Sequence, residues 1–347
     1  MTEKENILGA TIGDIREISK MHGFPAYTSG QISDWLYKKK AATFDEMSNL
    51  PKETRQLLGE KYHIGLSTPA KVQISADGTC KYLFQVKNSK YIEAVYIPET
   101  DRSTLCISSQ VGCRMGCVFC MTGKQGFLAN LSSGEILNQI LSLPERDKLT
   151  NYVFMGMGEP LANTENVLKC LEVMTSSYGL GISPSRITVS TIGIIPGLEK
   201  ILNLSRCHLA ISLHSPFDTE RSTLMPVEKI FPIKRVVEFL KMNARERQRR
   251  ISFEYIMFKG VNDTARHING LTRLLNGLRC RINLIRYHSI PDVSLESSDE
   301  ETIHWFKTRL NEKGILTTIR ASRGRDIFAA CGMLSTTHQQ ANELTGQ

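Results

Sequence analysis

The spacing of apolar and polar positions divides the chain near residue 90. Before that point, "TSGQISDWLYKKKAATFDEMSNLPKETRQLLGEKY" repeats apolar residues at helical intervals, with breaks at Thr43 and Pro51. Two β-type runs follow, "AKVQISADGTCKYLFQV" and "KYIEAVYIPE", and Asp77-Gly78 marks a tight turn within the first of them. The pattern predicts a small helical N-terminal domain with a strand extension over residues 1–90.

From residue 103 onward, β-type runs and amphipathic helical runs alternate. The β-type runs are "TLCISS", "NYVFMGM", "SRITVST", "CHLAISLH", "RRISFEYIMF", "RINLIRY" and "ILTTIRAS". Such alternation implies parallel strands joined by right-handed crossovers. The sequence predicts an α/β core over residues 91–335, either a partial (β/α) barrel or an open doubly wound sheet, followed by a disordered tail over residues 336–347.

Polar and glycine-rich segments follow the first four of these strands. "VGCRMGCVFC" comes after the first strand, and "GMGEP", "STIG" and "SLHS" come after the next three. Parallel α/β folds place their chemistry at the carboxyl ends of the strands, where such segments meet. We therefore expect the functional site at this end of the sheet.

Composition narrows the class of protein. The chain has 347 residues, of which 41% are hydrophobic and 22% are charged, as in ordinary soluble globular proteins. It contains no signal-like N-terminus and no apolar run of membrane-spanning length, so we expect a cytoplasmic protein without a membrane partner. Nine cysteines form an odd count, which argues against a disulfide framework. The isolated Cys80, Cys170, Cys207 and Cys280 are interpreted as small buried hydrophobes.

The formal net charge of +8 is compatible with an RNA partner. Two short basic clusters stand out, Lys38 to Lys40 and Arg245 to Arg250. Clusters of this size are common on protein surfaces, so each is interpreted as a solvated helix face.

Four cysteines fall within fifteen positions, but their spacing sets one apart. Cys113, Cys117 and Cys120 form C-x3-C-x2-C, whereas Cys106 stands seven residues ahead of the first. Structural zinc sites usually need four protein ligands in paired arrangements, and no matching pair accompanies this loop. Three thiolates on one loop suit a [4Fe–4S] cluster that keeps one iron open for a substrate.

This loop, placed after the first strand of an α/β core, resembles the radical S-adenosylmethionine (SAM) superfamily. Within it, "CISSQVGCRMGCVFCMTGKQGFLANLSSGEI", "FMGMGEPLAN", "STIGIIPG", "LAISLHSP" and "RGRDIFAACGML" together resemble the RlmN/Cfr family of RNA adenine methyltransferases. The resemblance runs to about residue 335. It implies a partial (β/α)6 TIM-like barrel in which Cys113, Cys117 and Cys120 hold [4Fe–4S] and the open iron binds SAM.

The resemblance also assigns SAM contacts to residues at the strand ends. In "GMGEP" the residues alone suggest backbone approach to a small ligand, with a carboxylate able to pair with an ammonium group. The position where relatives often read "WNP" is occupied here by "RYHSIP", so the last contact is a histidine. The implied SAM contacts are Gly158, Glu159, Ser190, Ser212, Leu213, His214 and His288.

Three further residues receive catalytic roles from the resemblance. Cys331 is the cysteine that SAM methylates, Cys106 is the thiol that later attacks it to form a disulfide, and Glu93 is a proton acceptor. From the residues alone, Glu93 in a strand would face solvent. Cys331 would be either a small buried hydrophobe or a reactive thiol on a loop.

The implied function is methylation of carbon 2 of an adenine in 23S rRNA and of adenine 37 in certain tRNAs, by a monomer supplied with electrons by a flavodoxin-type donor. Three alternatives stay open at this point. One is Cfr-type methylation of carbon 8 of the same rRNA adenine, one is a non-enzymatic iron–sulfur or zinc RNA-binding module, and one is a radical SAM enzyme acting on a small molecule.

Overall fold

The computed structural model describes residues 4–243 and 251–336, so the Arg245 to Arg250 cluster and residues 337–347 of the predicted tail lie outside the described residues. Near the N-terminus, a parallel pair of two-residue strands brackets three helices: β1 (Glu5–Asn6), α1 (Ile12–Met21), α2 (Thr28–Ser33), α3 (Lys52–Lys61) and β2 (Tyr62–His63). Sequence chemistry sets these bounds. Thr11 and Asp14 form a capping box that begins α1, and Pro51 precedes α3.

Ten strands form the main sheet. Its antiparallel part consists of β3 (Lys71–Ile74), β4 (Cys80–Val86), β5 (Lys90–Pro98) and β6 (Ser103–Cys106). A separate ribbon follows, made of β7 (Gln110–Gly112) and β8 (Phe127–Asn130). The parallel part adds, beside β6, β9 (Asn151–Phe154), β10 (Ile187–Thr191), β11 (His208–Ser212), β12 (Ile251–Met257), β13 (Cys280–Arg286) and β14 (Leu316–Ile319). The predicted strand–helix rhythm is confirmed.

Helices connect the strands and cover one face of the sheet. They are α4 (Met121–Gln125), α5 (Ser133–Leu141), α6 (Thr164–Thr175), α7 (Ile195–Leu204), α8 (Asp218–Leu224), α9 (Ile233–Asn243), α10 (Ala265–Leu275) and α11 (Glu300–Glu312). Neighbouring strands place Phe154, Val189 and Ile211 in the buried core. Each buried side chain of this size contributes about 1.5–3 kcal/mol to folding.

The sheet curls so that its far edge returns toward its middle. Strand order is β14-β13-β12-β11-β10-β9-β6-β5-β4-β3, which separates β14 from β9 by four strands. Even so, Nη1 of Arg320, just past β14, lies 2.9 Å from Sδ of Met155, just past β9. Only a strongly curved sheet brings these ends together, so the partial (β/α)6 barrel expected for the core is confirmed and the open sheet is not.

The basic cluster of Lys38 to Lys40 lies on the surface. Lys38 and Lys39 lie within 3.8 and 3.4 Å of Asp34, and Lys40 pairs with Asp147 at 2.5 Å, so this basic cluster is a solvated, partly neutralised surface. Within the described ranges, none of the helices has the length and apolarity required to cross a bilayer.

Candidate active site

The expected site residues on strands share one face of the sheet. The register of β6, β9, β10 and β11 puts Cys106, Ser190 and Ser212 on the same face. Pairing of β5 with β6 and β4 puts Glu93 on this face as well. Side chains two residues apart on a strand point the same way. These four residues therefore line the inside of the barrel, opposite the helix-covered face.

The loop between β7 and α4 carries the three closely spaced cysteines. Cys113 and Cys117 are buried, Cys120 is half-buried, and all three thiols are free. The N–H of Cys113 donates to the carbonyl of Gly126 at 3.0 Å, and that of Cys120 donates to the carbonyl of Cys117 at 3.2 Å. Gly116 has φ of +63°, which favours a residue without a side chain. One compact turn thus presents all three thiols.

The donor set fits a [4Fe–4S] cluster. Burial raises the pKa of the Cys113 thiol to about 12, with smaller contributions from Glu159 and Cys120. Three crowded thiolates need cations to balance them, and the irons of a cluster supply that charge. Among residues 4–243 and 251–336, no group of three or more His, Cys, Asp or Glu side chains could hold a metal ion. A [4Fe–4S] cluster does not need three side chains around one metal ion, because each of its thiolates binds a different iron.

Backbone amides also face these sulfurs. The backbone amide of Met115 lowers the pKa of the Cys113 thiol, and those of Thr122 and Gly123 lower the pKa of the Cys120 thiol. Amide groups near a sulfur stabilise its thiolate over its thiol and tune cluster potentials in iron–sulfur proteins. The loop therefore has the ligands and the surrounding donors that a cluster requires.

Glu159 lies buried in the segment that follows β9. Its Oε1 accepts hydrogen bonds from Oγ1 of Thr191 (2.6 Å) and the N–H of Leu161 (3.0 Å), and its Oε2 accepts from the N–H of Ile192 (3.0 Å). Burial raises the pKa of this carboxyl to about 7. The side chain thus ties together the ends of β9 and β10, and its protein donors already occupy both oxygens.

Gly158 is held where a side chain would collide with the neighbouring chain. Its φ is +96°, and an added Cβ would lie 2.5 Å from Cβ of Gln110. Gly158→Ala should lower the free energy of unfolding by about 1–3 kcal/mol, because backbone strain and overpacking add. It should also weaken SAM binding, since the "GMGEP" backbone must move. Thermal denaturation and equilibrium SAM titration measure the two effects.

Gly181 provides the matched control for this substitution. It also has positive φ (+64°), but no heavy atom lies within 4 Å of its added Cβ. Gly181→Ala should therefore report the backbone strain alone. Equal losses of stability in the two variants would show that the close approach at Gly158 is unimportant.

A buried arginine that the sequence did not single out orders the next two strand ends. Nε and Nη2 of Arg221 donate to the carbonyls of Leu213 (3.0 Å) and Ser212 (2.9 Å), and Nη2 also donates to the carbonyl of Ile192 (3.0 Å). Nη1 forms an ion pair with the buried Glu228. Because every arm of the guanidinium is engaged, it fixes the backbone that carries Ser212 and Leu213.

His214 is buried and neutral. Its Nδ1 accepts a hydrogen bond from the N–H of Ile256 (3.0 Å), and its backbone carbonyl accepts one from Nδ2 of Asn262 (2.7 Å). Burial lowers the pKa of the ring to about 3. The accepting role of Nδ1 assigns the proton to Nε2. The ring also packs edge-on against Phe119 of the cysteine loop, with centroids 4.8 Å apart.

His288, the departure from the usual sequence at this position, is also buried. Burial lowers the pKa of its ring to about 4, with smaller contributions from the charges of Arg325 and Arg286. Within the part of the chain that the structure describes, its Nδ1 has no hydrogen-bond partner. A buried polar atom without a partner costs stability unless a ligand or water satisfies it.

Glu93 does not face solvent, so the interpretation from the strand pattern alone is wrong. Its side chain has no exposed surface, and Oε1 lies 2.9 Å from Nζ of the buried Lys81. Oε2 accepts a hydrogen bond from the N–H of Ser335 at 3.0 Å. The inner face of the barrel, rather than a solvated surface, surrounds this strand position. Glu93 therefore connects β5 to the C-terminal segment that carries Cys331.

The C-terminal segment lies against the cysteine loop. The N–H of Met121 donates to the carbonyl of Gly332 at 2.8 Å, and Oγ1 of Thr122 donates to the carbonyl of Leu334 at 2.6 Å. Cys331 is exposed, Cys106 is buried at the end of β6, and both thiols are free. Burial raises the pKa of Cys106 to about 12, and the charge of Cys331 contributes to this rise. The structure thus brings together two cysteines that are distant in sequence.

Comparison with known proteins places this site in a family. Residues 107–268 match the model described as the radical SAM superfamily, and residues 5–64 match the ribosomal RNA large subunit methyltransferase N-terminal domain. Superfamily membership implies SAM and a [4Fe–4S] cluster as cofactors. A crystal structure of a radical SAM methyltransferase from Sphaerobacter thermophilus aligns with a TM-score of 0.89 and 36% identity, over 95% of this chain and 99% of that one.

Curated relatives extend over the whole length. The probable dual-specificity RNA methyltransferase RlmN of Bacteroides fragilis is 56% identical over 97% of this chain and 98% of its own. The dual-specificity RNA methyltransferase RlmN of Syntrophus aciditrophicus is 44% identical over 95% and 96%. The chain is therefore an enzyme, and the alternatives of a non-enzymatic RNA-binding module and of a small-molecule radical SAM enzyme are wrong. It belongs to the RlmN family of dual-specificity RNA methyltransferases, within the radical SAM superfamily.

Proposed function

We propose that the chain methylates carbon 2 of an adenine in 23S rRNA and of adenine 37 in certain tRNAs, through an S-methyl group carried by Cys331. The relatives' names support an RNA substrate and two specificities. One observation carries the proposal for the intermediate. The segment containing the exposed Cys331 is hydrogen-bonded to the cysteine loop, and Cys331 raises the pKa of both Cys120 and Cys106.

The proposed cofactor ligands follow from the geometry above. Cys113, Cys117 and Cys120 would hold the cluster, and the SAM contacts would be Gly158, Glu159, Ser190, Ser212, Leu213, His214 and His288. When bound, the cluster supplies one electron for reductive cleavage of SAM to methionine and a 5′-deoxyadenosyl radical, and accepts one electron when the RNA adduct becomes aromatic again. The neutral Nε2–H of His214 and the unpaired Nδ1 of His288 would then serve as uncharged polar groups toward SAM.

A detour through Cys331 meets a chemical need. Carbon 2 of adenine is electron-poor, so it does not attack the methyl group of SAM directly. The thiolate of Cys331 takes that methyl group instead, releasing S-adenosylhomocysteine. Transfer of one hydrogen atom from the S-methyl group to the 5′-deoxyadenosyl radical of a second SAM gives 5′-deoxyadenosine and leaves a carbon radical that can add to carbon 2. The target adenine must leave its base stack to reach the enzyme. Cys331, exposed on a C-terminal segment, is accessible to such a base.

Closing the reaction requires a base and a second thiol. Glu93 is the proposed acceptor of the carbon-2 proton, and one electron also leaves the adduct at that stage. The thiolate of Cys106 then attacks the sulfur of Cys331, forming an S–S bond and breaking the bond between that sulfur and the methylene carbon. The electron pair of the broken bond goes to this carbon, which takes a proton and becomes the methyl product.

The remaining proposals concern partners. RNA backbone would contact the basic surface of the protein, including the N-terminal helical unit of residues 1–90, while residues 91–335 carry the chemistry. A flavodoxin-type protein would supply the electron for SAM cleavage. A cellular thiol reductant would return the disulfide between Cys106 and Cys331 to two thiols before the next turnover. The chain would act as a monomer in the cytoplasm.

Product analysis tests this function. Cluster-loaded enzyme, SAM, a one-electron reductant and 23S rRNA or tRNA should give 2-methyladenosine in nuclease digests, identified by mass spectrometry against synthetic standards. Each RNA is assayed separately, so that the two specificities are scored independently. Finding only 8-methyladenosine would replace the proposal with the Cfr-type activity. Detecting neither nucleoside, although 5′-deoxyadenosine forms, would refute both assignments.

A further inference from the structure

Arg320 crosses the mouth of the barrel toward Cys106. It follows β14, at one edge of the sheet, and its Nη1 lies 2.9 Å from Sδ of Met155. Met155 follows β9, two residues after Val153, which is the strand partner of Cys106 on the adjacent β6, so Met155 and Cys106 lie on the same face. The guanidinium thus contacts a residue that neighbours Cys106 on the inner face of the barrel.

The charge of Arg320 is only partly balanced by protein groups. Its carboxylate partner, Glu254, lies at 3.4 Å, beyond the usual length of a charge-assisted hydrogen bond, and Glu99 interacts with it electrostatically from a greater distance. Glu254 is also shared, because Oε1 accepts from Nδ2 of Asn283 at 2.7 Å and from Oγ of Ser252 at 3.2 Å. The guanidinium therefore keeps electrostatic capacity for a second anion on the side facing Met155.

We propose that Arg320 is a positioning residue for the resolving step, in which its guanidinium stabilises the thiolate of Cys106 as this thiolate attacks the sulfur of Cys331. The inference rests on the proposed function, which gives Cys106 that task. At this stage the sulfur of Cys331 is a neutral thioether, so the anion beside Arg320 is the thiolate of Cys106. As the S–S bond forms, the negative charge passes to the methylene carbon, which takes a proton.

The sign of the pH effect follows from the surroundings of Cys106. Its strand neighbours Val95 and Val153 are apolar, and Glu93, which lies on the same face two residues from Val95, is paired with Lys81. Among the described residues, the charges that shift the pKa of Cys106 are those of Cys331 and Arg320. Burial raises the pKa of Cys106, whereas Arg320 lowers it. Removing Arg320 should therefore move the titration of this thiol to higher pH and reduce its thiolate fraction near neutrality.

Site-resolved alkylation tests this directly on the cluster-loaded protein. Iodoacetamide labelling of Cys106, followed by mass spectrometry across pH, should give a midpoint about one pH unit higher in Arg320→Gln, and so about tenfold slower labelling near pH 8. Arg320→Lys keeps the charge and should recover most of the rate. Arg325→Gln, which removes an exposed charge from the same segment, should label as the wild type does. Iron content and thermal stability are measured for each variant.

Single-turnover experiments supply the second readout. With RNA and Arg320→Gln, the covalent adduct on Cys331 should persist at neutral pH and resolve faster as the pH rises, because alkali restores the thiolate. A wild-type labelling midpoint in a folded Arg320→Gln protein would overturn the role of Arg320. If Cys106→Ala accumulates no adduct while Arg320→Gln still shifts the labelling of Cys106, the proposed function fails and the electrostatic effect of Arg320 stands.

Discussion

Replacing Cys106 with alanine should leave the enzyme joined covalently to its RNA. Without the resolving thiol, the bond between the sulfur of Cys331 and the methylene carbon has no nucleophile to break it, and methylated product should fall by at least about 100-fold. Cys106 lies on β6, outside the three-cysteine loop, so iron content and S-methylation of Cys331 should persist. Denaturing gels with labelled RNA reveal the adduct, and mass spectrometry after nuclease digestion locates it on Cys331.

Cys280→Ala is the matched control for this variant. Cys280 is the first residue of β13. It lies at the amino ends of the parallel strands, whereas the site lies at their carboxyl ends, and it is also a free thiol. It should release product at the wild-type rate and trap no RNA. Loss of iron from Cys106→Ala, with no adduct, would instead make Cys106 a cluster ligand and contradict the division of roles between the four cysteines.

Local spacing was enough to predict the cysteine loop and the strand rhythm. C-x3-C-x2-C places three thiols on one turn, because residues three and four apart in a short loop remain close together. The polar segments after the first four strands also fall at one end of the sheet, as the parallel arrangement requires. These features depend on residues that are close together in the sequence, so they can be predicted from the sequence alone.

The long-range partners of Glu93 could not be read in this way. Lys81 lies on β4 and Ser335 belongs to the C-terminal segment, and only the pairing of β4 with β5 and the docking of that segment bring them to Glu93. A charged residue in a strand is usually exposed, so the pattern favoured solvent. Buried ion pairs violate that preference where a site needs them, and the violation is visible only in three dimensions.

One signal in the sequence could have revealed the polar interior of the barrel. Strands buried on both faces normally read as continuous apolar runs. Here the first halves of "ISFEYIM" and "CRINLIR" carry polar residues at alternate positions, Ser252 and Glu254 in one and Arg281 and Asn283 in the other. The register pairs Glu254 with Asn283 and Asn283 with Thr318. This period of two marks an inner face that holds polar groups, and continuing it along the chain leads to Arg320.

The burial of Glu93 has a mechanistic consequence. A proton acceptor must come within hydrogen-bond reach of the proton it takes, yet Ser335 covers one carboxylate oxygen and Lys81 engages the other. If Glu93 takes the carbon-2 proton as proposed, the segment containing Cys331 and Ser335 has to shift as adenine enters. Because the same segment carries the methyl group, its movement would deliver the carbon radical and uncover the base together.

Glu93→Gln should separate S-methylation of Cys331 from methylation of the RNA. The amide oxygen preserves the volume and can still accept from Ser335, but the side chain no longer accepts a proton at neutral pH. S-methylation of Cys331 and SAM cleavage should continue, while 2-methyladenosine falls by about 100-fold or more, the usual effect of losing a general base. Quantifying S-methylcysteine, 5′-deoxyadenosine and methylated RNA in one reaction distinguishes this pattern from a general loss of activity.

Stability must be measured beside activity, because Glu93→Gln also removes the carboxylate partner of the buried Lys81. Breaking a buried ion pair from one side costs about 3–5 kcal/mol, whereas replacing both partners costs much less. Lys81→Met combined with Glu93→Gln should therefore regain much of the thermal stability without regaining product. Recovery of methylation in the double variant would mean that Glu93 supports the fold of the inner face and that another group takes the carbon-2 proton.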